Sequence, residues 1–561
     1  MKRKNIRHFI ILLCGIVLTG LVSSKYFFRI DLTAEKRYTL SPETKQVLRQ
    51  LDAPLYIDIF LDGDLPVQFR KFRKSIREML DDFRTYSGSR IIYSFHDPND
   101  AYDAQEREEN FAILEEWGVR RTTIFRTNND GSQTQQNIFP GAMFYYKDRH
   151  SSVNLLNANT SIHWEMRLNA SFEMLEYELI KTIDKLNADS INHVAFIYGQ
   201  GELNRAETFD LGMEFSNFYE VKRQVIDGNL DALDPYSAII IAKPQDVFEE
   251  KDKFVIDRYI MRGGRVMWLI DGSYVNTDSL YNLSMTFALP VELNLDDMLF
   301  TYGVRVNQGV VQDIVSNEIA ITLTDDSAQP TLAPWLYYPL VEPSQNHPIT
   351  RNLDFVWLRY PSYIDTVGLN SEISKSVLLQ TSPLSRIRGL PAMINLNEVH
   401  QTPQRQNFNS PDLIAAVLLE GNFPSVYRNR NARNMFPDLQ EQQAEKSVET
   451  KMIVVADGDI ARNDVRNTPQ GLAPSNPLGF DRLTRLTFAN KEFLVNSLNY
   501  LTDDAGLMHM RNREFKLRLL NKQKVADERL KWQIINLVLP LLLLFAGGTA
   551  YNKWRRHVYG R

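Results

Sequence analysis

Residues 191–202 read INHVAFIYGQGE, an apolar run from Val194 to Tyr198 that stops at Gly199-Gln200-Gly201-Glu202. A short unbroken apolar run closed by glycines is the pattern of a strand buried on both faces, because a strand with one wet face alternates. The pattern recurs in SAIIIAK (237–243), GRVMWLIDGS (264–273), SVLLQTSP (376–383) and KMIVVADGD (451–459), and a helix, KEFLVNSLNYL (491–501), follows the last. Such strands alternating with helices predict a parallel sheet covered on both faces, of the flavodoxin or class I amidotransferase kind. The expected domain covers residues 191–505, with an insertion at about 276–375.

Upstream, residues 31–190 carry a different α/β rhythm. In TLSPETKQVL (39–48), Ser41 stands as an N-cap with Pro42 at the first helical position. LYIDIFL (55–61) reads as a strand, and VQFRKFRKSIREMLDDFRTYS (67–87) as a helix with Phe69, Phe72, Ile76, Met79, Leu80 and Phe83 along one side. RIIYSFHDP (90–98), a helix through EENFAILEEWG (108–118), strands TTIFRT (122–127) and GAMFYYKD (141–148), and a helix from Ser171 to Leu186 follow. The order β-α-β-α-β-β-α predicts an exported thioredoxin-like layer. It has no Cys-x-x-Cys, since Cys14 is the single cysteine of the 561 residues, so thiol redox work is not expected of it.

Both ends read as membrane segments. Residues 1–30 hold an apolar run from Phe9 to Val22 behind Lys2, Arg3, Lys4 and Arg7, the pattern of an anchor or, with cleavage after Ser24, a leader. Residues 532–551 are uncharged from Ile534 to Ala550 and bracketed by Trp532, Tyr551 and Trp554; Pro540 inside them is tolerated in lipid. The basic start sets the N-terminus inside, so two spans return residues 552–561 to the cytoplasm of a bacterial inner membrane, with the large body periplasmic. Residues 506–531 form a basic juxtamembrane helix, in which Arg511, Arg513, Lys516, Arg518, Lys522 and Lys524 are expected to lie against anionic headgroups or an acidic partner. A net charge of -5 gives no argument for nucleic acid.

The chemistry is sparse. Asp457-Gly458-Asp459 has the strand-Asp-x-Asp form of a haloacid-dehalogenase-type phosphatase, but that chemistry wants the pair early in the fold, and here it ends the last strand. Turn geometry and capping are the expected role. The loop Gly199, Gln200, Gly201, Glu202 follows the first parallel strand, where such sheets bind ligands, and is a candidate ligand or partner loop with Asp457 and Asp459. An amidotransferase would need a cysteine there. The nine histidines show no His-Glu-x-x-His, and there is neither a Gly-x-Ser-x-Gly elbow nor a P-loop. No catalytic residue, metal site or cofactor is expected.

Several stretches together carry a resemblance: RYTLSPETKQVLRQLDAPLYIDIFLDGDLP, IIYSFHDPN, VAFIYGQGE, LNLDDMLFTYGVRVNQGVVQD, NHPITRNLD, LLEGNFPSVYRNR, VVADGDIARND and RNREFKLRLLNKQKV. With the two terminal apolar segments, the chain resembles the gliding-motility-associated ABC transporter components (GldG) of Bacteroidetes, within the wider family of exported auxiliary domains of ABC-2-type transporters. The resemblance implies a non-enzymatic, substrate-binding-like subunit of a complex with a separate integral-membrane permease and a separate cytoplasmic P-loop ATPase, supporting gliding. It brings no catalytic residues. Two other classes stay open: a periplasmic solute- or glycan-binding envelope protein using Gly199–Glu202, and a hydrolase using Asp457 or Glu202.

Overall fold

Ser41 caps the first described helix, α1 (Pro42–Gln50): its Oγ accepts from the Thr44 N–H at 2.9 Å, and Pro42 occupies the first turn. The computed structural model describes residues 15, 39–127, 133–157, 164–188, 192–321, 331–368, 372–430, 436, 444–469, 471–512 and 522–559. Residues 39–513 make one compact unit and the terminal segments another.

Strand β1 (Leu55–Ile59) alternates inward Leu55, Ile57 and Ile59, and α2 (Val67–Tyr86) buries Phe69, Phe72, Ile76, Leu80 and Phe83 completely, the stripe its spacing predicts. β2 (Ile91–Phe95), α3 (Ala104–Glu116), β3 (Thr122–Thr127), β4 (Gln133–Ile138), β5 (Gly141–Tyr146), β6 (Arg149–Asn154) and α4 (Trp164–Asn187) follow. The sheet order is β2-β1-β5-β6, with β1 and β2 parallel and the rest antiparallel. TTIFRT, expected in this sheet, instead pairs with β4 in a separate hairpin. Its place goes to β6, RHSSVN, whose polar sequence hid it because an edge strand needs little apolar surface.

The second sheet starts at β7 (His193–Ile197) and adds α5 (Phe209–Ser216), β8 (Glu220–Gln224), β9 (Ala238–Ala242), α6 (Glu250–Met261) and β10 (Arg265–Leu269). The chain then makes β11 (Ser273–Val275), α7 (Thr277–Leu283), β12 (Met285–Pro290), α8 (Asp296–Tyr302), β13 (Ser316–Ile321), β14 (Thr331–Pro343), β15 (Ile373–Gln380), β16 (Ala392–Asn395) and β17 (Ile414–Gly421) before β18 (Thr450–Val455) and α9 (Asn490–Leu501). The main path of this 12-stranded sheet runs β13-β14-β15-β17-β18-β10-β9-β7-β8. From β18 to β8 all neighbours are parallel; from β18 to β13 all are antiparallel. SVLLQTSP was expected as a parallel strand and runs antiparallel in β15. An apolar run reports cover on both faces, and β17, buried at five consecutive positions, has that cover in an antiparallel setting. The excursion between β10 and β18 is therefore longer than 276–375 and returns to the same sheet.

The expected boundary at 190/191 falls between α4 and β7, yet one hydrophobic core runs from Leu48 and Phe72 through Ile180, Val194 and Ile240 to Leu498 and Met508. A 3-10 turn, Leu507–Asn512, closes the body against α4, with the Tyr177 hydroxyl 2.6 Å from Met508 Sδ. Ser41 Oγ lies 2.9 Å from Met510 Sδ, so the two ends of the body meet.

In the terminal unit, α10 (Lys522–Tyr559) contains a stretch, Glu528–Val558, long and apolar enough to cross a membrane, with a mean hydropathy of 1.9 over its most apolar 18 residues. Pro540 lies inside it. The expected N-terminal anchor, Cys14 included, lies outside the described residues apart from Gly15.

Candidate functional site

The carboxyl ends of the parallel strands gather the polar loops. β7 is flanked by β8 on one side and β9 on the other, the reversal of winding where sheets of this type open a crevice. Gly199 (φ +132°) and Gly201 (φ +74°) have backbone angles that L side chains rarely adopt, and a Cβ on Gly201 would press within 3.1 Å of Asp246. The turn is held by its own backbone: the Gln200 carbonyl accepts from the N–H groups of Gln245 (2.8 Å) and Asp246 (2.9 Å), and the Gln200 N–H donates to Glu202 Oε2 (2.8 Å). Gln200 Nε2 donates to Asp252 Oδ2 at 3.1 Å. Among the described residues, Gln200 Oε1 and Glu202 Oε1 are buried without a hydrogen-bond partner. Burial pushes the Glu202 carboxyl above its ordinary value, and backbone N–H groups partly offset this.

Asp457 and Asp459 stand on the same edge, but not at its surface. Asp457 is fully buried; its carboxylate accepts from the backbone N–H groups of Arg359 (2.8 Å) and Asp459 (2.8 Å). Lys243, after β9, reaches Asp271 Oδ2 (3.0 Å), after β10, and the Asp459 carboxylate, after β18. Arg462 ties Asp459 (3.0 Å) to Glu207 (2.6 Å), and Gly458 N–H donates to Asp271. A Cβ on Gly458 would fall 2.5 Å from Lys243 Cβ, so the close approach requires glycine. Lys243 itself sits at φ +56°.

Burial, then the charges of Asp271 and Asp459, push the Asp457 carboxyl well above its usual range. Burial alone would raise Asp459 too, but Lys243 and Arg462 outweigh it and hold that carboxyl low. Burial works against the Lys243 ammonium, yet Asp271 and Asp459 overcome it and raise its pKa. A nucleophilic carboxylate needs access to substrate; Asp457 has none, and both of its oxygens are engaged by backbone. The arrangement clamps the ends of β9, β10 and β18 together. Among the described residues no cluster of His, Cys, Asp or Glu has the geometry to hold a metal ion.

The structure links the two expected features through residues 203–210: Leu203 N–H donates to the Ala242 carbonyl, and Asn463 N–H to the Glu207 carbonyl. Lys243, Asp271, Glu207, Arg359 and Arg462 were not singled out from sequence. One signal was present, since LIDG and VADG both place Asp-Gly directly after apolar strands that prove to be neighbours.

On the first sheet, Ser94 Oγ lies 3.0 Å from His96 Nε2, and Asp58 Oδ1 meets that same nitrogen at 3.0 Å. One ring nitrogen serving both partners cannot relay a proton between them. Arg511, expected to face headgroups, is only 7% exposed and lies over the Tyr177 ring at 5.6 Å, so it is packing within the body. Arg513, Lys516 and Arg518 lie outside the described residues, and Lys522 and Lys524 begin α10.

The model of the family described as "ABC-type uncharacterized transport system" matches residues 192–497, and a second model, a domain of unknown function, matches residues 34–145. An uncharacterized protein of Borreliella burgdorferi is 20% identical over 545 residues, covering 94% of each chain. The solved mmIFT52 N-terminal domain aligns over 55% of this chain and 97% of its own at 12% identity, with a TM-score of 0.31. With more than half of its length matched by that first model, the chain belongs to the ABC-type uncharacterized transport system auxiliary family.

Proposed function

We propose that this chain is a non-enzymatic, membrane-anchored auxiliary subunit of an ABC transporter, working with a separate permease and a separate P-loop ATPase. The observation that carries the reading is the family match over residues 192–497, joined in one chain to an apolar helix long enough to span a bilayer. The described strand edge supports the non-enzymatic part, because its charges are spent on one another. In this reading two spans place the body in the periplasm of a bacterial inner membrane, and movement driven by ATP in the partners is passed to, or gated by, that body. The first layer is thioredoxin-like and the parallel half of the second sheet flavodoxin-like, a reading supported by the orders β2-β1-β5-β6 and β8-β7-β9-β10-β18. Support of gliding is the most specific form of the proposal and rests on the sequence resemblance.

Affinity purification of the full chain from detergent tests it. A multi-span permease and a P-loop ATPase are expected in the eluate and are expected to disappear when residues 532–551 are replaced by an unrelated apolar span. Recovery of neither would refute the proposal, and a deletion strain that spreads normally would remove the gliding part.

A second reading is favoured by the two orphaned buried oxygens of Gln200 and Glu202: a solute or glycan bound at that loop. It expects a glycan-induced rise in melting temperature of the full chain that Glu202→Ala abolishes.

A further inference from the structure

Away from the strand edge, a cleft of about 850 Å³ opens between the first layer and the rest of the body, a volume typical of ligand sites. Its floor is one stripe of α4: Arg167, Ser171, Met174, Glu178 and Lys181 recur at intervals of four, three, four and three residues. Arg511, from the turn that closes the body, lines the same cleft.

The arginines at the rim are paired. Arg120 meets Glu214 at 3.5 Å, and Arg121 meets Glu108 (3.2 Å) and Glu115 (3.0 Å). Lys181 has Glu178 at 3.6 Å. The two guanidiniums set deeper are not paired. Among the described residues neither Arg167 nor Arg511 has a carboxylate within ion-pair distance; Arg167 donates from Nε to the Asn157 carbonyl (2.8 Å), and Arg511 from Nη2 to the Arg351 carbonyl (3.4 Å). The Arg511 Nε–H is buried with no acceptor among the described residues. Burial disfavours charge on both groups, and at Arg511 Tyr177 and Glu178 offset it only in part; an arginine side chain does not deprotonate, so the remaining demand is for an anion.

We propose that this cleft binds an extended, oxyanion-bearing ligand whose phosphate or carboxylate pairs with Arg511 and whose far end reaches Arg167. Tyr177, under Arg511, and Arg167 are ten residues apart on α4, about 15 Å at 1.5 Å per residue, which sets the length of the ligand. The planar fork of a guanidinium suits a two-oxygen contact with either anion. The proposal goes beyond the transporter-subunit reading and does not depend on recovering a permease.

The full chain is titrated with inorganic phosphate and with tripolyphosphate, at constant ionic strength, in nanodiscs of phosphatidylcholine, following the melting temperature. A saturable rise is expected. Arg511→Gln weakens binding of both probes at least tenfold, Arg167→Gln weakens only the longer probe, about threefold, and Arg121→Gln at the rim changes neither. If Arg511→Gln fails to fold, the Arg167→Gln difference between the two probes decides. Repeating the titration in phosphatidylglycerol nanodiscs assigns the source: loss of the response there identifies a lipid headgroup as occupant, and an unchanged response a soluble oxyanion. A rise no larger than chloride gives, or one that persists in both Arg511→Gln and Arg167→Gln, overturns the proposal.

Discussion

Two of the places where the body buries basic groups treat them in opposite ways. At the strand edge Lys243 is enclosed by Asp271 and Asp459, and the half-buried Arg462 pairs with Asp459 and Glu207, so each cation has its anion. In the cleft Arg511 is as deeply set, and among the described residues no carboxylate lies within ion-pair distance of it; Tyr177 and Glu178 favour its charge without pairing with it. The first arrangement is complete without any other molecule; the second is not. A buried charge that is matched internally reports how the strands are held, whereas one left unmatched reports where something else is accommodated.

The largest effect should come from breaking the matched side. Lys243→Met leaves two carboxylates facing each other in a closed site and is expected to cost about 3–5 kcal/mol in denaturant unfolding. Gly458→Ala forces a methyl against Lys243 and should cost about 1–3 kcal/mol by the same measurement, with Lys243→Gly, which opens that space, restoring less than it removes.

His347 sharpens the comparison by showing a third solution, that of giving up the charge. Burial, with His509 and Lys451 nearby, holds its pKa down to about 4, and its Nδ1 accepts from the Ile349 N–H, which a protonated ring could not do. The folded state therefore resists a proton that the unfolded chain takes up below about pH 6.5. Stability is full above that pH and should fall by roughly 1–2 kcal/mol as pH drops from 6.5 through 4, after allowance for partial exposure. His347→Gln should flatten that part of the stability profile.

The smallest effect has the opposite sign. Without ligand, Arg511→Met should leave stability unchanged or raise it by up to about 1 kcal/mol, because it removes a buried charge that Tyr177 and Glu178 balance only in part. A loss comparable to that of Lys243→Met would erase the contrast between the two regions.

Much of the framework was legible in the chain. The Ser41 cap, the α2 stripe and the apolar β7, β9, β10 and β18 depend on neighbours a few residues away or on burial of a whole strand, and both leave local marks. Strand direction left none, so SVLLQTSP was misplaced, and the polar edge strand β8, EVKRQ, gave no signal. Of the candidate site, the glycines of the 199–202 loop and the Asp-Gly turns could be found. The partnerships could not, since Lys243, Asp271 and Asp459 meet only once three strands align. Arg511 was misread for a related reason: a run of basic residues has a count and a spacing, but whether one of them turns inward is settled by Tyr177, far away in the chain.

Ser41 touching Met510 means that the chain enters and leaves the body at one spot on its surface. A load arriving along either connecting segment is therefore applied at a common pivot. Pulling the two segments apart, by contrast, would load the contact between Ser41 and Met510 together with the hydrogen bonds that Ser41 and Thr44 make to Glu176 of α4.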